Sequence, residues 1–203
     1  MSQKEFFRQF LSEHFPGSLE TLFGQFERFY LWLTAENQKI NLISRQTDPA
    51  DIWTIHFLDS LLPVKYVDFH GRAVLDFGTG GGLPGIPLSI VFGSAEVTLL
   101  DSKKKKIAAV RNAAAHLGLG NCRFLDERIE NIGNNAAFDI IVSRSVRIEP
   151  AYKSTLLKLL KPHGKLILYK SKILDDVRQF ANVEIFDVEI PLIGERKIVI
   201  VGK

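Results

Sequence analysis

Ala73-Val74-Leu75-Asp76-Phe77-Gly78-Thr79-Gly80-Gly81-Gly82-Leu83-Pro84-Gly85-Ile86-Pro87 decides how this chain folds. It opens as a short apolar run, suited to a strand buried on both faces of a parallel sheet. Glycines follow, then Pro84 and Pro87. Proline fits the first turn of a helix, where its missing N–H is not needed, so the sequence predicts a helix starting near Pro84. Strand, glycine turn and helix form the first unit of a nucleotide-binding α/β sheet. Without Cβ atoms, the turn lets main chain come close to a ligand.

Two registers of these glycines point to different ligands. Gly80-x-Gly82-x-x-Gly85 fits a dinucleotide fingerprint, a weak signal by itself. Asp76-x-Gly78-x-Gly80-x-Gly82 fits better, because an acid ends the strand and glycine follows almost at once. A carboxylate there suits a ligand with a cationic amino group better than a pyrophosphate. Asp76-Phe77-Gly78-Thr79-Gly80 resembles the first motif of the S-adenosylmethionine (SAM) methyltransferases. The plain alternative is a tight turn that holds nothing.

The remaining chain alternates as an α/β sheet should. Strands are predicted at 95–100, 122–125, 138–142 and 165–169, with helices at 103–117, 149–160 and 173–180, and Ser102 as a cap. Strands at 183–190 and 196–201 are joined by too short a link for a parallel return, so they form an antiparallel hairpin. Residues 1–70 read as a helical extension and residues 71–203 as the sheet domain. Leu19, Leu22, Phe23, Phe26, Tyr30 and Leu33 share one helix face, with Ser18 as cap, and such aromatics at helical spacing make core. Asp48-Pro49 starts another helix, on which His56 and Asp59 share a face. That pair serves either as packing or as a polar contact to substrate or to the sheet domain.

With 203 residues and 46% hydrophobic content, the chain can bury a sizeable core. Its one cysteine, Cys122, rules out a disulfide framework and a cysteine-based zinc site, and fits a reducing cytoplasm. The first twenty residues lack the apolar centre of a signal peptide, and no run is long enough to span a membrane. A net charge of +3 permits a nucleic-acid partner without requiring one.

Ligands of open α/β sheets lie beyond the carboxyl ends of the strands, here Asp76, Asp101, Asp126 and Arg144. Asp101 comes 23 residues after Gly78, the spacing at which an acid meets ribose hydroxyls. Ile129 is placed to pack on an adenine, whose amino group is met by Asp126 or whose ring is bonded by a nearby backbone N–H. Methyl transfer from a sulfonium is an in-line displacement that asks the protein mainly for alignment and exclusion of water. Carbon-5 of a pyrimidine usually needs a cysteine nucleophile, and Cys122 is on the wrong strand. Ser143-Arg144-Ser145-Val146 stands where adenine-amine enzymes carry an Asn/Asp-Pro-Pro-Tyr/Phe motif. The surroundings of Arg144 in sequence offer no acid, base or thiol, which points to a nucleophile reactive as it stands, such as guanine N7. Arg144 serves the base, the cofactor carboxylate or a salt bridge.

Together these pieces resemble the RsmG family (also called glucose-inhibited division protein B), bacterial guanine-N7 methyltransferases of 16S ribosomal RNA. The matching runs are Asn41-Leu42-Ile43-Ser44, His56-Phe57-Leu58-Asp59-Ser60-Leu61, the glycine stretch through Leu88, Leu100-Asp101-Ser102, Ser143-Arg144 and Gly194-Glu195-Arg196. Departures are Ser145, where the family usually has alanine, and Glu36-Asn37, where it usually has Trp-Asn. The resemblance implies a class I SAM-dependent methyltransferase fold, Rossmann-like α/β, with a mostly parallel seven-stranded sheet, the terminal antiparallel hairpin and an N-terminal helical extension. It implies SAM as cofactor, with contacts at Gly78, Leu83, Ile129, Glu130 and Arg144, to which the motif reading adds Asp76, Gly80 and Asp101. Arg144 is the expected catalytic residue. The implied substrate is a guanine of the 530 loop of 16S RNA in the small ribosomal subunit. A cytoplasmic monomer without metal or membrane attachment is expected. Lys103–Lys106 would then bind phosphate, with Lys165, Lys170, Lys172, Arg196 and Lys197 extending the patch. The rival readings are an NAD-dependent oxidoreductase, for which no Tyr-x-x-x-Lys is present, and a non-catalytic RNA-binding scaffold.

Overall fold

Alternation along the strands divides the interior in two. On β1 (Ala73–Phe77), Val74 faces one side and Leu75 and Phe77 the other. The same alternation runs through β4 (Phe138–Arg144) and β5 (Leu160–Lys170), as the period of two in a pleated strand requires. A computed structural model describes residues 1–133 and 136–203. With β2 (Glu96–Leu100), β3 (Cys122–Leu125), β6 (Val183–Ile190) and β7 (Gly194–Gly202), the strands form one seven-stranded sheet ordered β3-β2-β1-β4-β5-β7-β6. The first five are parallel, and β7 runs antiparallel between β5 and β6. The predicted hairpin is therefore present, and its second strand, not its first, pairs with β5.

One side of the sheet is covered by α1 (Gln3–His14), α2 (Leu19–Asn37), α3 (Asp59–Leu61), α4 (Gly85–Val91) and α5 (Lys104–Leu117). Phe7, Phe26, Phe29, Trp53 and Phe57 form an aromatic cluster there, with ring centroids 4.8 to 6.0 Å apart. The aromatics at helical spacing are thus core, as the periodicity predicts. The other side is covered by α6 (Pro150–Leu159) and the buried Val177 and Phe180.

Local differences from the sequence reading have local causes. Residues 173–180 make successive turns instead of a helix. Asp176 Oδ2 accepts from Ile148 N at 2.8 Å and Lys170 Nζ at 2.5 Å, and Gln179 Nε2 donates to the carbonyls of Ile148 and Asp176. These side chains tie the segment to its neighbours while Val177 and Phe180 turn inward. Neither Ser18 nor Ser102 accepts a capping N–H: Pro16–Ser18 is a short 3₁₀ turn running into α2, and Asp101 Oδ1 takes the Lys103 N–H at 2.9 Å. Asp48 does cap, accepting from Ala50 N at 2.8 Å. The helix it opens is not regular. A 3₁₀ turn (Pro49–Asp51) leads into a π-helical stretch (Ile52–Leu58), then α3 and a further 3₁₀ turn (Leu62–Lys65).

Candidate functional site

Strand order reverses between β1 and β4, the switch point where open α/β sheets hold ligands. A crevice of about 650 Å³ opens there. Its floor is the glycine turn. Gly78 N and Thr79 N both donate to Leu100 O at 2.9 Å, pinning the turn to the end of β2. Gly78 has φ +78, and a Cβ on it would stand 2.5 Å from Val146 Cγ2, so only glycine fits. Leu42 and Ile43 close the crevice from the N-terminal side. The buried Asn37 Oδ1 holds them by accepting their N–H groups at 2.8 and 3.0 Å.

Gly78, Gly80, Leu83, Asp101, Ile129, Glu130 and Arg144 all line this crevice. Asp101 Oδ2 accepts from Gly80 N at 3.1 Å while its other oxygen accepts from Lys103 N at 2.9 Å, just ahead of α5. The carboxylate is thereby fixed beside the glycine floor. Ile129 is buried in the wall with Phe77 and Leu100, an apolar bed for a flat ring. Glu130 lines the crevice and Asp126 does not.

Asp76 is placed differently from the sequence expectation. It is fully buried behind the turn, outside the crevice lining. Its Oδ2 accepts from Thr79 Oγ1 at 2.6 Å and Gly85 N at 2.8 Å, and its Oδ1 has no partner. Burial pushes this carboxyl up to about 6, against the pull of those two hydrogen bonds. A Cβ on Gly85 would meet Asp76 Oδ2 at 2.6 Å, so the glycine lets α4 dock on the acid. Asp76 shapes the cradle from beneath.

Arg144 leaves the end of β4 and enters the π-helical stretch. Its Nη1 donates to Asp59 Oδ2 at 2.9 Å and to the carbonyls of Ile55 and His56 at 3.3 and 3.4 Å. Carbonyls displaced from regular helix bonding are available to such a donor. The pair is nearly enclosed, with side chains 12% and 7% exposed. Asp59 Oδ1 also accepts from Arg196 Nε at 3.0 Å, so one carboxylate serves two arginines. His56 Nδ1 lies 3.4 Å from Arg144 Nη2. Because the guanidinium only donates, Nδ1 accepts and the imidazole hydrogen sits on Nε2. Burial, and then the arginine's charge, push His56 down to about 3. The sequence reading left Arg144 without acidic or basic neighbours; the fold brings it two. The histidine is held neutral by burial, and the aspartate accepts from two arginines.

Sequence reasoning missed Thr79, Val146 and Tyr152, which also shape the crevice. Tyr152 stacks edge-on against Phe77 at 5.4 Å. The basic residues divide. Lys103, Lys104 and Lys105 are exposed, and Lys103 and Lys106 line the crevice. Lys170, Arg196 and Lys197 instead face Asp176, Asp59 and Asp187. The patch expected on β5 and the hairpin is thus largely consumed in ion pairs.

The doubly wound sheet with β7 inserted, and the glycine floor beside Asp101, define a class I SAM-dependent methyltransferase. A SAM-dependent methyltransferase from Aquifex aeolicus superposes with a TM-score of 0.64 at 19% identity, covering 83% of this chain and 97% of that one. A tRNA (m1A58) methyltransferase from the same organism gives 0.61 at 17%, covering 79% and 72%. The family model of rRNA small subunit methyltransferase G matches residues 23–194, and the chain belongs to that family. Ribosomal RNA small subunit methyltransferase G of Staphylococcus epidermidis is 36% identical over 194 residues, 88% of this chain and 81% of that protein. The Syntrophus aciditrophicus protein of the same name is 36% identical over 151 residues, 72% of this chain and 63% of that one.

The crevice fits SAM. Its volume suits a nucleoside-sized ligand. Main chain without Cβ atoms faces a fixed carboxylate and an apolar wall. No group of three or more His, Cys, Asp or Glu placed to hold a metal ion occurs among the described residues. No described helix is long and apolar enough to cross a membrane.

Proposed function

We propose that this protein transfers the methyl group of SAM to N7 of a guanine in 16S ribosomal RNA, at the 530 loop of the small subunit. The observation that carries this reading is the glycine floor with Asp101 fixed beside it, facing a β4 end that carries Arg144. SAM supplies an electrophilic methyl on a sulfonium when bound. Asp101 accepts the ribose hydroxyls on the lone pairs left beside its two backbone bonds. Ile129 and Phe77 receive the adenine, and Gly78, Gly80 and Leu83 hold the amino-acid end close to main chain. A guanine N7 carries its own lone pair, so no residue has to remove a proton first. Arg144, held by Asp59, meets the guanine beside that nitrogen. Its catalytic work is positioning and charge, because N7 brings its own lone pair and no proton has to be removed. Asp76 acts through the turn it supports and touches no ligand. Lys103–Lys106 engage RNA phosphates. Residues 1–70 act as an extension of the 71–203 domain, supported by the core cluster they share. We further read the protein as a cytoplasmic monomer.

The test is to incubate the protein with isotopically labelled SAM and small-subunit RNA, then map the product by mass spectrometry. One 7-methylguanine in the 530 loop is expected. Label on another base type, or calorimetric binding of NAD in place of SAM, overturns the reading.

A further inference from the structure

A second cavity of about 590 Å³ adjoins the cofactor crevice and shares His56, Arg144, Ser145 and Val146 with it. Those four residues form the rim between the two. Beyond the rim the cavity is lined by Lys170, Ile173, Asp175, Asp176 and Arg196, among others. Its three carboxylates are not equivalent. Asp59 is taken by two arginines, and Asp176 by Lys170 and the Ile148 N–H. Asp175 is 64% exposed, and its one ion-pair contact, Arg178, stands 3.9 Å away, beyond hydrogen-bond reach. Both its oxygens are open to a ligand.

We propose that this cavity seats the target guanine and that Asp175 selects it by accepting N1–H and the 2-amino group. The proposal rests on the function argued above. Guanine carries N7 and O6 on one edge, and N1–H and the 2-amino group on the opposite edge. Methylation requires N7 at the rim, where the donor crevice begins. That orientation sets O6 near Arg144, the side chain best suited to guanine's N7/O6 edge. It turns the opposite edge toward the wall that carries Asp175. Two parallel N–H donors match one carboxylate in the bidentate fashion that arginine uses. Adenine presents a bare ring nitrogen at the same place, and a carboxylate rejects it because two acceptors meet.

The test compares wild type with Asp175→Ala and Asp175→Asn on small-subunit RNA carrying guanosine or inosine at the methylated position. Inosine lacks only the 2-amino group and keeps N7. Wild type should lose roughly tenfold or more in kcat/KM on inosine, the worth of one hydrogen bond to a charged group. Asp175→Ala should lose as much on guanosine and show a guanosine-to-inosine ratio near one. Its SAM affinity by calorimetry and its urea midpoint should stay at wild-type values. As a readout independent of turnover, 6-thioguanosine at the target should crosslink to residues 144–147 or 169–176. A wild-type ratio retained in Asp175→Ala, or crosslinks confined to other segments, overturns the proposal. If wild type methylates no guanosine in this RNA, the parent reading falls as well; transfer that ignores Asp175 sinks this one alone.

Discussion

At the scale of single residues, two buried titratable groups oppose each other. Asp76 binds its proton up to about pH 6, against 3.8 ordinarily, so its contribution to stability is present below pH 3.8 and is lost as pH rises through 6. His56 stays neutral down to about pH 3, against 6.5 ordinarily, so its contribution is present above 6.5 and is lost as pH falls. Between about pH 4 and 6 the two slopes cancel, each near 1.4 kcal/mol per pH unit. Replacing one of them should expose the other. Asp76→Asn should gain stability over wild type as pH rises from 4 to 6, by on the order of 3 kcal/mol. His56→Gln should gain over wild type as pH falls from 6.5, and urea titrations at several pH values measure both. Asp101 was legible from its distance to Gly78, because that spacing is fixed by one strand-helix-strand unit. The inward turn of Asp76 was not, since an acid at a strand end reads alike on either side of a turn.

At the scale of elements, the π-helical stretch, β4 and β7 meet on one carboxylate. Asp59 lies 85 residues from Arg144 and 137 from Arg196, so no local pattern announces the junction. The sequence did place His56 and Asp59 on one face and allowed them a contact to the sheet domain, and that contact is Arg144. The irregular bonding of Ile52–Leu58 was not legible, because its apolar spacing is also that of an ordinary helix. Asp59→Ala leaves the nearly buried Arg144 and the partly exposed Arg196 without their shared counter-charge and should cost about 3–5 kcal/mol. Arg144→Ala leaves the aspartate still paired to Arg196 and should cost less, about 1–3 kcal/mol, while abolishing most methyl transfer. Denaturation curves of the two variants give the ranking; equal costs would mean that Arg196 does not hold Asp59. Phe57→Ala empties the centre of the aromatic cluster and should cost about 3–5 kcal/mol. It should also slow turnover, since Phe57 adjoins His56 in the chain.

For the molecule as a whole, the fold class and the closing hairpin were legible in the sequence, because apolar runs alternate with helix-length segments until two strands follow each other across a short link; the order β3-β2-β1-β4-β5-β7-β6 was not, since which strands lie side by side is set by contacts remote in sequence. The 173–180 turns escaped because Asp176 and Gln179 bond to Ile148, 28 and 31 residues back in the chain and outside any local window. Charge distribution sets how the whole surface meets RNA. Lys104→Gln/Lys105→Gln removes two exposed charges from the first turn of α5. The slope of log affinity for RNA against log salt should fall in magnitude by about 1.4 to 1.8. Stability should rise by a few tenths of a kcal/mol, because cations at a helix start oppose its dipole. Filter binding across salt concentrations and thermal melts check the two signs.

The insertion of β7 has a consequence for biosynthesis. β6 leaves the ribosome first, yet its neighbour in the sheet has still to emerge. During translation the nascent chain therefore carries an edge with nothing to zip against and an Asp59 lacking its Arg196. A growing polypeptide cannot close the Asp59 junction or cover the β5 edge until the segment 194–202 has been extruded.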